Sequence, residues 1–451
     1  MNSFAKRGFN HPFLTQHSEY RIRLGLRAIQ IVLEALGHPE RSFRTVHVAG
    51  TNGKGSVAHM IASCLAECGY RTGLFTSPHI RTVRERFRIN HEMITDAELK
   101  RILDEIQAVY DDLIKQDKID FLTFFEINTI VSFIYFKKYH VDIAVIEVGM
   151  GGRLDSTNVI FSPYIALTTI GFDHTAYLGS TLKKIALEKA SVIHGEADVV
   201  LGVLPAHVKK AVREYASEAR FYCFSKDFTI RSLKNGLLCY RSHGCLNGLN
   251  FKLHLLGRHQ HANCATALKM LEILSKDGFC LDQNKIMGCL SAIRWKGRLD
   301  VISQEPLVIL DAAHNPQGMK ALMDSLKDLF PLVEFVCICG FCRDKDYIRM
   351  LDILGKRCRK IYLVPLDNPR GVVPVEAADK AIENHPSLKG KLKCHSDFRS
   401  ALSEIQDKKK DRSLLVCGSF FLLEKAYNHF EDSLTRISHR VSSRGREKQM
   451  D

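Results

Sequence analysis

Val46-His47-Val48-Ala49-Gly50-Thr51-Asn52-Gly53-Lys54-Gly55-Ser56 is an apolar strand that runs into a glycine-rich turn, carries one lysine and then begins a helix. Such a turn grips phosphates. Glycines let consecutive backbone N–H groups point at an anion, the helix adds its positive N-terminal end, and Lys54 can reach the outer phosphates of a nucleotide. The expected ligand is ATP, held by Gly50, Thr51, Asn52, Gly53, Lys54, Gly55 and Ser56. The block departs from the ordinary phosphate loop in two places. Val48 stands where that pattern has its first glycine, and Gly55 stands where a Ser or Thr would hold Mg²⁺, with Ser56 displaced by one. The metal must therefore find oxygen elsewhere. A strand-to-helix turn with no ligand is the competing reading, and it leaves the lysine between the glycines unexplained.

Outward from this block, strand-like and helix-like segments alternate: Thr45–Ala49, a helix over Ser56–Gly69, Gly73–Phe75, a capped helix opening at Thr95-Asp96-Ala97-Glu98, then Ile143–Val148 and Ile165–Ile170. Alternation of this kind predicts an α/β fold with a doubly wound, mostly parallel sheet. In such sheets ligands bind beyond the carboxyl ends of the strands, where the phosphate loop, Ser77, Glu147 and Asp173-His174 all fall. Short alternating segments within 221–256, such as Leu237–Arg241 and Leu249–Leu255, predict a small antiparallel addition, followed by a helix over Asn263–Leu274. After the only tryptophan, in Trp295-Lys296-Gly297-Arg298, a fresh series of Leu307–Leu310, Phe335–Ile338, Ile361–Val364 and Ser413–Val416 predicts a second, Rossmann-like α/β domain. The expected division is 1–296, 297–435 and a basic, disordered tail over 436–451.

The chain has 451 residues, 45% of them apolar, enough for two domains with ample cores. Its 64 Lys plus Arg against 50 Asp plus Glu give +14, which suits polyanionic small substrates as well as nucleic acid or a membrane surface. No run of 18 apolar residues occurs and Met1–Asn10 lacks the apolar core of a secretory signal, so a soluble, cytoplasmic protein is expected. Of the 14 cysteines, Cys64, Cys264, Cys289 and Cys417 lie in apolar segments, as free thiols do in a reducing compartment. Cys337, Cys339 and Cys342 contain a C-x-x-C with no second pair nearby, and ordinary strand residues are expected there in preference to a metal or redox site.

Three constellations carry chemistry. Asp142 to Glu147 reads as a buried strand ending in a carboxylate, followed by Val148-Gly149-Met150-Gly151-Gly152-Arg153-Leu154-Asp155. An acid at a strand's end beside a phosphate loop is a natural Mg²⁺ ligand, the rival being a structural ion pair with Arg153. His174 gains weight as a metal ligand from sharing that sheet edge with Lys54 and Glu147, and Ser77 could supply the hydroxyl that Gly55 removed. In the second series, Asp311-Ala312-Ala313-His314-Asn315-Pro316 places an acid and an imidazole in a strand-to-helix turn, where helix initiation explains Asn315-Pro316 but not the other two.

Taken together, His47 to Ser56, Thr76-Ser77-Pro78-His79, Glu147 to Asn158, Asp173-His174, Glu188-Lys189-Ala190, His259-Gln260-His261-Ala262-Asn263, Trp295 to Arg298 and Asp311 to Pro316 resemble the folylpolyglutamate synthase and dihydrofolate synthase family, in the superfamily of the Mur ligases. The resemblance runs to about residue 430, and Gly55 after the lysine resembles the folate branch specifically. It implies that Lys54 and its loop hold ATP phosphates and that Ser77, Glu147 and His174 hold Mg²⁺. Lys189 matches a lysine that the family typically carbamylates. Asn263, Arg298 and Asp311 match nucleotide contacts, His314 a position near the reacting groups, Asp155 a substrate contact and Ser419 a position near the incoming glutamate.

The implied reaction transfers the γ-phosphoryl group of ATP to a substrate carboxylate and lets the amine of L-glutamate displace it as an amide, with dihydropteroate, a reduced folate or both as acceptor. Positioning and positive charge suffice, which fits a constellation with a lysine, an arginine and metal ligands but no Ser-His-Asp set. Expected partners are small molecules, with neither nucleic acid nor membrane, and a monomer is implied. The rivals are a muramyl-peptide-type ligase and a nucleotide-switched nucleic-acid-binding protein. The latter would account for the charge but not for the second series of motifs.

Overall fold

In the computed structural model, residues 9–17, 23, 25–407 and 413–430 are described, and the tail expected over 436–451 lies outside them. The chain folds as two compact units, Met1–Trp295 and Lys296–Asp451.

The first unit is built on eight strands: β1 (Arg44–Ala49), β2 (Thr72–Phe75), β3 (Phe87–Ile89), β4 (Glu92–Met93), β5 (Ile143–Glu147), β6 (Tyr164–Leu167), β7 (Asp198–Leu201) and β8 (Arg220–Cys223). Their order in the sheet is β4-β3-β2-β5-β1-β6-β7-β8. The six strands from β2 to β8 run parallel, and β3 and β4 add an antiparallel edge. Side chains alternate across β1 and β5 and feed different cores. Val46, Val48, Ile143 and Val145 pack with the helices Lys54–Glu67 and Arg258–Lys276 on one face, while Ala144 and Ile146 meet the helices Asp96–Lys115 and Phe124–Lys138 on the other. Each fully buried valine contributes about 1.5–3 kcal/mol.

Local chemistry sets the helix starts. Thr95 caps Glu98 N–H ahead of apolar positions at Leu99, Ile102, Leu103 and Ile106. Thr123 and Glu126 form a reciprocal capping box.

The antiparallel addition is smaller than the 221–256 segment suggested. Residues 220–223 pair parallel with β7 as β8, held by Arg220, which donates to both oxygens of Asp198 at 2.9 and 2.7 Å. Only β9 (Thr229–Ser232), β10 (Leu238–Arg241) and β11 (Asn250–Phe251) form the separate antiparallel sheet. An alternating pattern marks a half-buried strand without saying which sheet it joins. The helix expected from Asn263 starts earlier, at Arg258, so His259 to Asn263 form its first turns.

The second unit has a six-stranded sheet made of β12 (Asp300–Gln304), β13 (Leu307–Leu310), β14 (Phe335–Cys339), β15 (Cys358–Leu363), β16 (Leu392–Cys394) and β17 (Leu414–Cys417), in the order β12-β13-β17-β14-β15-β16. All pairs are parallel except β12 with β13. Cys337 and Cys339 are buried in β14, and Cys337 Sγ lies 3.7 Å from Cys417 Sγ as a pair of free thiols. No described helix is long and apolar enough to cross a membrane.

Candidate functional site

β1 lies between β5 and β6, which fixes the direction in which the chain leaves the sheet at Gly50. A Cβ at Gly50 would sit 2.0 Å from Thr168 Oγ1, so the turn closes directly onto the end of β6. The lashing is dense. Thr51 N donates to Thr169 O at 2.6 Å, Gly171 N donates to Thr51 Oγ1 at 3.0 Å, and Asn52 N donates to Thr169 Oγ1 at 3.1 Å. Thr168 Oγ1 donates back to Asn52 O at 2.7 Å. Gly53 then takes φ 87°, a left-handed conformation that suits glycine, and caps the helix Lys54–Glu67. Lys54 Nζ lies over its own loop, 3.4 Å from Thr51 O.

Gln260 donates to Ser56 Oγ at 3.3 Å and accepts from Asn263 Nδ2 at 3.0 Å, and Asn263 packs against Gly53. Thus Asn263, Ser56 and the loop, far apart in sequence, are brought together. The helix Arg258–Lys276 places them.

Gly55 is closely surrounded. A Cβ there would lie 3.3 Å from Glu147 Oε2 and 3.4 Å from Trp295 Nε1, so the carboxylate at the end of β5 stands directly against the phosphate loop. Glu147 is 4% exposed, and its Oε2 accepts from Ser77 N at 3.0 Å. Arg153, its rival partner in the sequence, instead donates through Nε to Glu188 Oε2 at 3.2 Å and through its backbone to Glu188 O at 3.2 Å. Gly152 is required beneath that contact, because a Cβ would meet Glu188 O at 2.4 Å.

Lys189 is 5% exposed at the end of the helix Leu182–Ala190. Burial, with the Lys54 cation adding to it, pulls its pKa from 10.5 down to about 7 against the opposing fields of Asp173, Asp155 and Glu188. Asp155 is buried, and its carboxylate caps the turn Ser156–Val159. Oδ1 accepts from Thr157 N at 3.0 Å and from Thr157 Oγ1 at 2.5 Å, while Oδ2 accepts from Met150 N at 2.8 Å. Burial pushes the Asp155 pKa up, while these hydrogen bonds and Lys54 hold it down. His174 has a left-handed backbone, φ 49°, and its N–H donates to Asp173 Oδ1 at 2.9 Å. It enters the neighbourhood of Lys189 through Asp173.

Mg²⁺ wants six oxygens but is commonly held through one or two carboxylates, with phosphate oxygens and waters completing the shell. Among the described residues no three His, Cys, Asp or Glu side chains gather as a metal site. A single carboxylate against a phosphate loop, as Glu147 stands at Gly55, fits Mg²⁺ on nucleotide phosphates and does not fit an all-protein metal cage.

In the second unit Asp311, at the end of β13, accepts from Leu299 N and Ala313 N at 2.8 Å each. Burial raises its pKa, opposed by the Arg298 guanidinium and these two N–H groups. Arg298 lies 5.2 Å over the Phe420 ring, and the His314 ring lies 5.7 Å from the same ring. His314 Nδ1 donates to Ala312 O at 2.8 Å. Ser419 is buried beside them, its Oγ accepting from Phe421 N at 3.2 Å. Arg298, Asp311 and His314 are therefore one cluster, with Ser419 next to it in the chain through Phe420.

Sequence reading missed the partners that hold the site. Thr168 and Thr169 carried no motif of their own, and Gln260 lay inside the His259 to Asn263 block without being assigned a role. His47 did carry a signal, a titratable residue inside an otherwise apolar strand.

Two family models match the chain: "Mur ligase middle domain" over residues 48–271 and "Mur ligase, glutamate ligase domain" over 297–420. A folylpolyglutamate synthase of Lacticaseibacillus casei is 36% identical over 405 residues, covering 88% of this chain and 92% of that one. A dihydrofolate synthase/folylpolyglutamate synthase of Bacillus subtilis is 30% identical over 420 residues, covering 90% of this chain and 94% of the other. The solved structure of Mycobacterium tuberculosis folylpolyglutamate synthase complexed with ADP and AMPPCP superposes with a TM-score of 0.82 at 29% identity, covering 90% of this chain and 96% of that one.

Proposed function

The chain belongs to the folylpolyglutamate synthase and dihydrofolate synthase family of the Mur ligases, and on that premise we propose that it joins L-glutamate to the carboxylate of dihydropteroate, of a reduced folate, or of both, at the expense of ATP. The observation that carries this reading is the Glu147 carboxylate standing against Gly55 in the phosphate loop, with Lys54, Lys189 and Asp155 in one another's fields.

An oxygen of the acceptor carboxylate attacks the γ-phosphorus of ATP, ADP leaves, and an acyl phosphate results. The neutral amine of glutamate then attacks the acyl carbon, phosphate departs, an amide remains and the amine's proton is lost to a base. No protein nucleophile takes part. Lys54 and the N–H groups of Gly50 to Ser56 bind and orient the phosphates. Glu147, Ser77 and His174 would hold Mg²⁺. The ion, when bound, neutralises charge on the phosphoryl group.

Lys189 takes up CO₂ as a carbamate. That reaction needs a neutral amine, losing one proton as the N–C bond forms, and a pKa of about 7 supports it at physiological pH. Asn263, Arg298 and Asp311 contact the nucleotide, Asp155 contacts the acceptor, and His314 and Ser419 serve the reacting groups and the incoming glutamate. The protein acts on small molecules as a cytoplasmic monomer, without nucleic acid.

The test is phosphate release from Mg-ATP with L-glutamate, with dihydropteroate in one reaction and tetrahydrofolate in another, and with Lys54→Ala as the blank. Turnover with one acceptor assigns one activity and turnover with both assigns two. Silence with both acceptors, from folded protein that binds ATP, refutes the reading.

A further inference from the structure

His47 is fully buried in β1, three residues before Gly50, and uses one nitrogen only. Its Nε2 lies 2.8 Å from Thr157 Oγ1, while its Nδ1 has no hydrogen-bond partner. Thr157 Oγ1 in turn lies 2.5 Å from Asp155 Oδ1. The protons along this chain can be placed by counting. A carboxylate receives donors on both oxygens here, from Thr157 N and Met150 N, so the Thr157 hydroxyl gives its single proton to Asp155. The hydroxyl oxygen must then accept from His47, which puts the imidazole proton on Nε2. Burial, with His194 adding to it, keeps His47 neutral by lowering its pKa to about 3, so Nδ1 carries no proton and needs no acceptor.

The count also separates the two oxygens of Asp155. Oδ1 takes two donors and is saturated, whereas Oδ2 takes only Met150 N and keeps one lone pair. We propose that His47 and Thr157 are positioning residues for the acceptor substrate: the relay from β1 saturates Asp155 Oδ1 and so presents Oδ2, with one lone pair, to an N–H donor of the acceptor. This rests on the reading of Asp155 as an acceptor contact. It also ties the acceptor site to the strand that launches the phosphate loop.

The readout is the KM for acceptor set against the KM for ATP, with thermal midpoints taken alongside. Thr157→Val keeps the shape and removes the hydroxyl. It is expected to raise the acceptor KM by about tenfold or more, as loss of a hydrogen bond to a charged group does, and to leave the ATP KM within about twofold. Thr157→Ser restores the hydroxyl and the wild-type KM. His47→Gln, which offers an N–H at a similar reach, is expected to stay closer to wild type than His47→Leu. This second comparison serves if Thr157→Val does not fold. A Thr157→Val enzyme whose acceptor and ATP KM rise together, or stay together, overturns the proposal, since a merely structural stitch would do that. Asp155→Asn separates the failures. If it leaves the acceptor KM unchanged, the underlying reading of Asp155 is wrong; if it raises the KM while Thr157→Val does not, only the positioning role falls.

Discussion

The Asn263 side chain fills the space above Gly53, so closely that a Cβ on Gly53 would lie 2.5 Å from Asn263 Oδ1. The phosphate loop and the helix Arg258–Lys276 thus meet with room for a glycine and no more. Gly53→Ala meets two penalties, the left-handed backbone and the collision, together about 1–3 kcal/mol. ATP affinity measured by calorimetry is expected to fall by about tenfold or more, and an unchanged affinity would contradict this packing.

Glu147→Gln tests the metal role apart from the fold. The amide oxygen can still accept from Ser77 N, so the thermal midpoint is expected to move by no more than a few degrees, whereas the lost charge weakens the hold on Mg²⁺. Titrating Mg²⁺ at fixed ATP should give a half-saturation raised by about tenfold or more and a lower kcat. A variant with the wild-type Mg²⁺ curve would remove Glu147 from the ligand set.

Lys189 gives stability a pH dependence of known sign. Between about 7 and 10.5 the unfolded chain holds a proton on this lysine that the folded chain has shed, so stability relative to Lys189→Met rises with pH across that window and levels off beyond it. Denaturant midpoints of the two proteins in CO₂-free buffer check the trend. With bicarbonate added, mass spectrometry under non-acidic conditions is expected to find one added carbamate on the wild type and none on Lys189→Met.

The buried pair Lys269–Glu272 is a stability element of the first unit. Glu272 accepts from Lys269 Nζ at 3.1 Å, Tyr240 OH at 3.1 Å, Ser242 Oγ at 2.6 Å and Leu246 N at 3.1 Å, tying the small antiparallel sheet to the long helix. Lys269→Met leaves that charge unpaired and is expected to cost about 3–5 kcal/mol in urea unfolding. A loss below about 1 kcal/mol would show the pair to be dispensable.

Much of the fold was legible because local signals and burial agreed. Thr45–Ala49, Ile143–Val148 and the Thr95 cap each became an element at or near the expected residues. The reading went astray where the signal was local and the decision was not. Residues 220–223 carry no local mark of the sheet they join, and only pairing with β7 and the Arg220–Asp198 contact put them in the parallel sheet. The helix at Arg258 starts before its apolar period becomes visible.

By itself the sequence determined which groups can do chemistry and where the chain turns: Lys54 among glycines, Glu147 and Asp311 at strand ends, whereas Lys189 read only as a helical surface lysine. Turn geometry and strand burial are short-range properties that a few neighbouring residues decide. Tertiary structure alone decided the partners. Gly55 has Glu147 and Trp295, 92 and 240 residues further along the chain, as its close neighbours. Arg153 turns to Glu188, and His47 reaches Asp155 through Thr157. Such contacts depend on which strands lie side by side, and strand order is a property of the whole sheet that no single segment encodes.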